Sequence, residues 1–450
     1  MISQRIERRR KKLKSMREKI ESGQLNAVRE LLTNEDIQQI CDECGYYFRS
    51  RLLTPFVTIF HMIGAAVCRE GSFQSAWHMS GQSGMSDALA KARKRLPLSV
   101  WERLDRWMVD KITQEHDSKH LWHGHRLIGN DGSCVSMPDV PELSERFGKH
   151  RTRHGPSRFP TAHMVFVFNL NTLVTIGHEM GHWKTSEVEL FRWFIPRLKP
   201  GDVIVNDRLY AGARQYYEYM RSYFHFVNRA HGALKIERLE VVKRFSPDDF
   251  IVKLPIPKKD RKEGPLLPEC ILVRIIKVAI RNRENKKEML WLVTSLLNPK
   301  KYPAHEIKDV FKKRWRAETL IEEIKLWLSA DVLRSKTVEG IFKEMHARVV
   351  ATHLIHWLIL RAAKKHCEKP DRISVSATLR LTAAYSLKMS TAPAWQLPLL
   401  YDELLEHVAD SLVPYRPGRI EPRMKRREAK KYNKLKIPRW LWRLNHAMAA

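Results

Sequence analysis

A short segment near position 318 combines an aromatic ring, two cations and one carboxylate at helical intervals. The residues are Phe311, Arg314, Glu318 and Lys325. At about 100° per residue, all of them fall within an arc of roughly 60° on one helix face. Lys325 then lies ~10 Å along the helix axis from Glu318. This separation suits a carboxylate that binds a metal while the neighbouring cations bind successive phosphates of a nucleic acid. The simpler alternative is a surface ion pair between Arg314 and Glu318, worth only ~0.2–0.5 kcal/mol.

Two further carboxylates lie in or directly after predicted strands. Asp131 interrupts the apolar run 126–137, where a charge needs a partner, a metal or an exposed edge. Asp207 follows the strand 203–206, and ligand sites of α/β sheets gather at the carboxyl ends of strands. With Glu318, these acids can hold two Mg²⁺ ions ~3.5–4 Å apart for in-line phosphoryl transfer. The simpler alternatives are an edge or turn residue for Asp131 and a helix-capping or turn residue for Asp207.

The elements that must position these acids change character near Trp122. Before that residue, apolar periodicity predicts helices at 54–68, 73–79 and 86–95. After it, strands alternate with helices, which indicates an α/β domain with a mixed sheet. The predicted strands are 126–137, 163–169, 173–177, 203–206 and 224–227, with helices at 186–198 and 211–221. A basic, β-rich segment follows, with strands at 270–280 and 289–297, before helical character resumes at His305 and continues through 345–365.

The charge balance points to a polyanionic partner. The net charge is +31, from 81 lysines and arginines against 50 acids, and cations that neutralise phosphates release condensed counterions. A membrane surface is also anionic, so charge alone does not select nucleic acid. The sequence lacks an apolar run of about eighteen residues, and the N-terminus is charged from Arg5 onward without a secretory core. We expect a soluble cytoplasmic protein with no membrane partner.

The helical N-terminal part has the pattern of a DNA reader. A basic arm at 1–24 precedes it, and the Gly-containing turn 81–84 precedes a helix that starts at Ser86. That helix carries the cations Lys91, Arg93 and Lys94. A short helix, a turn and a basic helix suggest a helix-turn-helix-like unit, although small helical bundles give the same pattern.

Two other sets of residues resemble metal ligands. Cys41 and Cys44 have zinc-ligand spacing, but no second close pair follows, so we interpret them as ordinary helix positions. Histidines occur around a Gly-containing turn without a clear third metal ligand, and along a later helix where two of them, His346 and His353, are two turns apart. They are His178 and His182 in the first set, and His346, His353 and His356 in the second. We interpret both sets as packing or surface residues.

Taken together, these motifs resemble those of bacterial insertion-sequence DDE transposases that carry a Tyr-Arg-Glu-Lys signature. The family's intervals of two, three and six residues are intact here, with Phe311 in place of the tyrosine, which keeps the ring and loses the hydroxyl. Further matching stretches are Asp131-Gly132-Ser133 with Met137-Pro138-Asp139, Gly201-Asp202 with Asp207-Arg208-Leu209-Tyr210, the strand around Trp291, and Arg416-Pro417-Gly418-Arg419.

The resemblance implies an α/β, RNase H-like catalytic domain with a β-rich insertion, preceded by an all-helical DNA-binding domain and followed by a helical C-terminal region. The expected limits are 1–118 for the DNA-binding domain with its arm, 119–231 for the first part of the catalytic domain, 232–304 for the insertion, 305–365 for the second part with the Glu-bearing helix, and 366–450 for the basic C-terminal region.

The same resemblance implies the chemistry. Asp131, Asp207 and Glu318 would be the catalytic residues and the ligands of two Mg²⁺ ions, with Mn²⁺ as a substitute. The implied and candidate DNA contacts are Phe311, Arg314, Lys325, Trp291, Arg208, Lys91, Arg93 and Lys94. Trp291 is the candidate platform for a flipped base. A tryptophan in an apolar strand also fits a core position.

The implied activity is cleavage at the terminal inverted repeats of an insertion sequence, followed by joining of the 3′-hydroxyls to target DNA. Its partners would be double-stranded DNA and a second copy of the chain, and the protein would be associated with the bacterial nucleoid. Two alternatives stay open: a related metal-dependent nuclease without strand transfer, and a catalytically inactive DNA-binding protein derived from a transposase.

Overall fold

The computed structural model describes residues 31–49, 53–67, 86–152, 155–263, 267–281, 287–327 and 332–414, together with 441, 444 and 445. The strands are β1 (Leu127–Ser136), β2 (Arg151–Thr152), β3 (Gly155–Pro156), β4 (Thr161–Asn169), β5 (Val174–His182), β6 (Val203–Asn206), β7 (His225–Arg229), β8 (Glu240–Ser246), β9 (Asp249–Pro255), β10 (Cys270–Arg281) and β11 (Lys287–Thr294).

The α-helices of the described residues are α1 (Asn34–Glu43), α2 (Pro55–Val67), α3 (Ser86–Arg95), α4 (Leu98–His120), α5 (Pro141–Phe147), α6 (Glu187–Phe194), α7 (Ala213–Arg221), α8 (Lys258–Glu263), α9 (Ala304–Glu322), α10 (Val338–His366), α11 (Val375–Thr391) and α12 (Leu397–Asp410). None of them is long and apolar enough to span a membrane.

One mixed sheet dominates the part of the chain that the structure describes. Its nine strands run in the order β5-β4-β1-β6-β7-β11-β10-β9-β8. β1, β6 and β7 are parallel neighbours, whereas β4 and β5 are antiparallel to β1 and to each other. β11 pairs antiparallel with β7, so the β-rich segment continues the same sheet. The predicted α/β architecture with a mixed sheet is therefore confirmed.

The two faces of the sheet carry separate apolar cores. Along β6, Val203 and Val205 enter one core while Ile204 enters the other, as the two-residue period of a strand requires. Helix α9 contributes to the first core, and α6 and α7 contribute to the second. The sheet is thus buried on both sides, which explains why its central strands are almost continuously apolar.

A third core joins helices from both ends of the chain. Residues of α1 to α4 pack with residues of α10, α11 and α12, and α10 is buried along most of its 29 residues. The helices that we placed in 1–118 and in 366–450 therefore share one apolar core. Val174 of β5 also belongs to this core, so the helical body meets the edge of the sheet there.

A buried ion pair fixes the start of β6 beside β1. Arg126 donates from Nε to Asp202 Oδ1 at 2.8 Å and from Nη2 to Asp202 Oδ2 at 2.6 Å. Asp202 also accepts a bond from the amide of Lys199 at 2.9 Å, which closes the turn before the strand. The acid of the Gly-Asp motif therefore stabilises the register of the two strands that carry the candidate acids.

The predicted elements match the described residues with some differences. β6 begins and ends as predicted, while β5 runs on to His182 rather than ending at 177. Helix α4 was not singled out, although Trp101, Leu104 and Met108 give it a buried stripe among charged residues. The predicted arm 1–24, helix 73–79, turn 81–84 and the motif at 416–419 lie outside the described residues.

Candidate active site

Parallel pairing of β1 with β6 brings two of the predicted acids to the same level of the sheet. Gly129 pairs with Val205, and two residues further along each strand the same register reaches Asp131 and Asp207. Both side chains lie near the carboxyl end of the pairing, where α/β sheets place their ligands. The topology thus explains how acids 76 positions apart (207 − 131) become neighbours.

Both aspartates are held locally by backbone amides. Asp131 Oδ1 accepts a hydrogen bond from the Gly132 amide at 3.0 Å. Asp207 caps the 3₁₀ turn Arg208–Tyr210, where Oδ1 accepts from the Leu209 amide at 2.7 Å. The capping interpretation of Asp207 is therefore correct for this structure.

Glu318 joins the two aspartates from helix α9. Its Oε1 accepts a hydrogen bond from Arg314 Nη2 at 3.1 Å, so the predicted i,i+4 pair forms. Burial raises the pKa of Asp131 above its ordinary value, the Gly132 amide opposes that shift, and the charge of Glu318 raises the pKa again. Arg314 then lowers it and Asp207 raises it further. The three predicted acids thus lie within one another's electrostatic field.

A fourth carboxylate, which the sequence analysis missed, lies against β1. Glu187 begins helix α6 after the N-cap Ser186. Its Oε1 would stand 2.1 Å from a β-carbon built on Gly132, so the carboxyl occupies space that only glycine leaves. Burial raises the pKa of Glu187, and the charges of Asp131 and Asp207 raise it further. The available signal was a glycine inside a strand, which often marks a close approach.

Lys325 reaches β1 from an irregular turn. Helix α9 continues as the π-helical turn Glu323–Trp327, where the sequence analysis assumed an unbroken α-helix. From this turn, Lys325 Nζ donates to Ser133 Oγ at 3.0 Å and to the carbonyl of Cys134 at 3.1 Å. Its charge is therefore held on β1 at Ser133, two positions after Asp131, and its contact with DNA stays a prediction. Single π turns recur at functional sites.

Phe311 packs inside the protein. Only 2% of it is exposed, and it belongs to the core between α9 and the sheet. The guanidinium of Arg314 lies 6.0 Å from the Phe311 ring centroid and 5.7 Å from that of Trp315. Phe311 therefore packs beside Arg314 and its ring presents almost no surface, and its predicted DNA contact stays a prediction.

Trp291 is half-buried on β11. It packs edge-on against Phe250 at 5.9 Å between centroids, and Lys277 Nζ lies 5.5 Å from its ring. These contacts agree with the interpretation of Trp291 as a core residue. Its stacking on a flipped base stays a prediction. Arg208 is exposed and directly follows Asp207, and its DNA contact stays a prediction.

The cations of helix α3 belong to the helical body. Lys91 and Lys94 are exposed, whereas Arg93 is half-buried and burial lowers its pKa. The buried Lys343 of α10 donates to the carbonyls of Arg93 and Lys94 at 3.4 and 3.2 Å, which caps the end of α3 with a positive charge. Helix α3 is confirmed, and its DNA contact stays a prediction.

The cysteine pair lies at the end of helix α1. Cys41 is buried in the helical core, and burial raises the pKa of its thiol to about 12. Within the described ranges, neither Cys41 nor Cys44 joins a group of three ligating side chains. Cys41 lies within α1 and Cys44 is its C-cap, as the interpretation of the pair as helix positions expected.

The donor set beside β1 suits a hard divalent cation. Asp131, Asp207, Glu318 and Glu187 offer only carboxylate oxygens, the ligands that Mg²⁺ and Mn²⁺ prefer. The pKa of Asp131 and that of Glu187 are both raised, partly by their acidic neighbours. A divalent cation would relieve this repulsion, so the residues present fit such an ion.

Comparison with known proteins gives a family. Residues 122–354 match the family model described as a transposase DDE domain. The chain is 24% identical over 317 residues to the transposase InsG for insertion sequence element IS4 of Escherichia coli (strain K12), covering 69% of this chain and 70% of that protein. It is 21% identical over 349 residues to a probable transposase for insertion sequence element IS5377 of Geobacillus stearothermophilus, covering 76% and 86%.

Among solved structures, the chain is similar to a piggyBac transposase in a synaptic complex with hairpin DNA. The identity is 11%, the coverage is 87% of this chain and 86% of that one, and the TM-score is 0.37. A likeness of that size supports no inference about this site.

Proposed function

The chain belongs to the family of transposases with a DDE domain, and we propose that it cuts the terminal inverted repeats of an insertion sequence and joins the freed 3′-hydroxyls to target DNA. The observation that carries the proposal is the convergence of Asp131, Asp207 and Glu318, from β1, the end of β6 and α9, on one half-buried spot. Membership of the family indicates the reaction, and we propose these three acids as the ligands of its metal ions.

The proposed core is RNase H-like. The order β5-β4-β1-β6-β7, with antiparallel β4 and β5 on one side of β1 and parallel β6 and β7 on the other, supports that layout. Strands β8 to β11 would form the insertion between the second aspartate and the glutamate. They extend the sheet beyond β7, so the proposed insertion would be rigidly attached to the catalytic core.

We assign the metal ligands residue by residue. Asp131, Asp207 and Glu318 would bind two Mg²⁺ ions, with Mn²⁺ as a substitute, and Glu187 would add negative charge beside them. When bound, the ions supply activation of the attacking oxygen and stabilisation of the leaving oxygen. Arg314 pairs with Glu318 in this structure. When Glu318 binds the metal, Arg314 would lose this partner and bind a DNA phosphate instead.

The joining step forms one phosphodiester bond for each one that it breaks, so their number does not change. A 3′-oxygen of the element end forms a bond to a target phosphorus while the bond from that phosphorus to the target's own 3′-oxygen breaks, and the target strand leaves with a 3′-hydroxyl. The proton of the attacking hydroxyl is lost as the oxygen bonds, and the leaving oxygen takes one up. No nucleotide cofactor is needed, so the chain's contribution is positioning and charge.

The proposed DNA surface surrounds the acids. Lys325 and Arg208, one held on β1 and one exposed after Asp207, would bind the backbone near the scissile phosphate. Lys91 and Lys94 on α3 would contact the inverted repeat, and Trp291 would stack on a flipped base. Two ends must be held together, so we propose a homodimer as the working unit, acting on the bacterial chromosome in the cytoplasm.

A strand-transfer assay separates this proposal from its alternatives. The substrate is a pre-cut element end carrying either a 3′-hydroxyl or a 3′-deoxy terminus, incubated with a circular target and Mg²⁺. We expect joined product with the hydroxyl and none with the deoxy end or with Asp207→Asn. Cutting of uncut ends without joining would instead identify a nuclease. Binding without cutting or joining would identify an inactive DNA-binding protein.

A further inference from the structure

A second polar cluster lies away from the acids, where the helical body meets the sheet. Asp105 comes from the middle of α4, His178 from β5, and His346 and His353 from α10. All four are buried, with between 0% and 9% of each residue exposed. His346 and His353 are seven positions apart, which places them on the same face of α10. Two histidine sets that the sequence left unconnected therefore meet at one aspartate.

The candidate ligand atoms of this cluster lie close to one another. Asp105 Oδ2 lies 3.3 Å from His346 Nδ1 and 3.9 Å from His178 Nδ1. In the part of the chain that the structure describes, these residues form the one group of three whose ligand atoms all lie within 4.8 Å of one another. Adjacent ligands of a tetrahedral zinc ion, bound at ~2.0–2.2 Å, stand roughly 3.3 Å apart. Small side-chain shifts would suffice to close the site.

The buried nitrogens lack other partners. Among the described residues, neither His178 Nδ1 nor His346 Nδ1 has a hydrogen-bond partner. Burying a polar atom in that state costs free energy, and natural proteins satisfy the great majority of such atoms. His346 Nδ1 lies 3.3 Å from Asp105 Oδ2, which is within ion-pair distance, but the two atoms form no hydrogen bond. A bound cation would satisfy both nitrogens.

His353 contacts the other oxygen of the Asp105 carboxylate. Its Nε2 lies 2.6 Å from Asp105 Oδ1, the oxygen that does not face the other histidines. A hydrogen bond of this kind fixes the orientation of a ligating side chain and tunes its charge. Helix α10 therefore supplies both a ligand and the residue that orients the opposite one.

We propose that Asp105, His178 and His346 bind one Zn²⁺ ion, with His353 as the positioning residue. Two imidazoles and a carboxylate match the borderline-soft zinc ion, whereas the all-oxygen cluster beside β1 matches magnesium. The site is buried and joins α4, β5 and α10, so a bound ion would hold these three elements together. It ties the helical body to the edge of the catalytic sheet and is independent of the proposed catalysis.

Metal content of the full chain tests the site. The protein is purified without a histidine tag and without chelator, and zinc is measured by mass spectrometry against protein concentration. We expect about one zinc per chain, reduced at least tenfold in Asp105→Asn and His346→Gln. His356→Gln is the matched control, because His356 is buried on the same helix outside the ligand group, and it should keep its zinc. Glu318→Gln should also keep it.

Two measurements on the unaltered chain guard against variants that fail to fold. Metal-free protein titrated with Zn²⁺ should show a higher melting temperature that saturates at one equivalent, and Co²⁺ should give a visible absorption that saturates at the same ratio. Less than a tenth of an equivalent of zinc, together with no response to either ion, would overturn the proposal. The cluster would then be a metal-free ion pair. Zinc retained in His346→Gln would overturn it as well.

Discussion

Glu187 lies directly against the backbone of Gly132, the residue that follows Asp131 in β1. A β-carbon on Gly132 would stand 2.0 Å from Glu187 Cδ, closer than any side chain tolerates. The glycine therefore admits a fourth carboxylate beside the three acids that the family resemblance identified. Burial raises the pKa of Glu187, and the charges of Asp131 and Asp207 raise it further. Glu187 therefore interacts electrostatically with the acids of the site.

The first prediction concerns that fourth carboxylate. Glu187→Gln should raise the Mg²⁺ concentration needed for half-maximal DNA cleavage by about 10- to 100-fold, the usual effect of removing a group that supports metal ligands. Gly132→Ala should act in the same direction, because it displaces the Glu187 side chain. The measurement is the metal dependence of end cleavage.

The control for Glu187 is Glu189→Gln, an exposed acid in the same first turn of α6. It should leave the metal dependence unchanged. Equal metal requirements in Glu187→Gln and the parent protein would remove Glu187 from the site.

The second prediction concerns stability and pH. Burial and like charge raise the pKa of Asp131 in the folded state, so its contribution to stability is present below the ordinary carboxylate pKa and is lost as the pH rises through the folded value. Metal-free Asp131→Asn should therefore be more stable than the parent protein at neutral pH, by on the order of 1 kcal/mol. Thermal unfolding at pH 4 and pH 7 measures this.

Added Mg²⁺ should reverse the order at pH 7, because only the parent protein keeps the full ligand set. A parent protein whose melting temperature exceeds that of Asp131→Asn at neutral pH without metal would refute the proposed charge repulsion.

The third prediction concerns the buried Arg126–Asp202 pair. Asp202→Ala leaves a buried guanidinium without its carboxylate and should lower the free energy of unfolding by about 3–5 kcal/mol. Chemical denaturation with urea is the measurement. The exposed pair of Lys253 with Glu240 provides a control, and Glu240→Gln should change stability by less than about 1 kcal/mol. Similar losses from both substitutions would contradict the structural role of Asp202.

The fourth prediction concerns Lys325. If this side chain binds a DNA phosphate, Lys325→Gln should weaken binding to all sequences alike and reduce the slope of log affinity against log salt by about 0.9. The exposed Lys312, which pairs with Asp309 on α9, is the matched control. Binding of element ends at several salt concentrations gives the slope, and an unchanged slope in Lys325→Gln would exclude the phosphate contact.

Much of the sheet follows from the sequence because its strands are short, apolar and bounded by turns. The strand before Asp207 is one example, since a charged residue ends an unbroken apolar run. The pairing of β7 with β11 was not predictable, because residues 227 and 294 share no local signal. Long-range pairing depends on the whole core, and periodicity does not report it.

Residues of the candidate site could be predicted where their spacing along the sequence indicates a shared role. They could not be predicted where residues meet only through packing of the folded chain. Glu318 and Lys325 stand out because their intervals match a signature. Glu187 does not, since an acid at a helix start is also what the helix dipole favours. His178 and His346 were equally hidden, because Asp105 joins them only after α4 has packed against β5 and α10.

The most direct test of the central claim is cleavage of a labelled DNA fragment that carries the gene's own flanking ends. The parent protein is compared with Glu318→Gln and with Glu322→Gln, an exposed acid one turn further along α9. We predict cutting at the ends with Mg²⁺ or Mn²⁺, loss with chelator, and a fall of at least 10³-fold, on the order of a lost essential ligand, in Glu318→Gln alone. Metal-dependent cutting that persists in Glu318→Gln would contradict the proposed site.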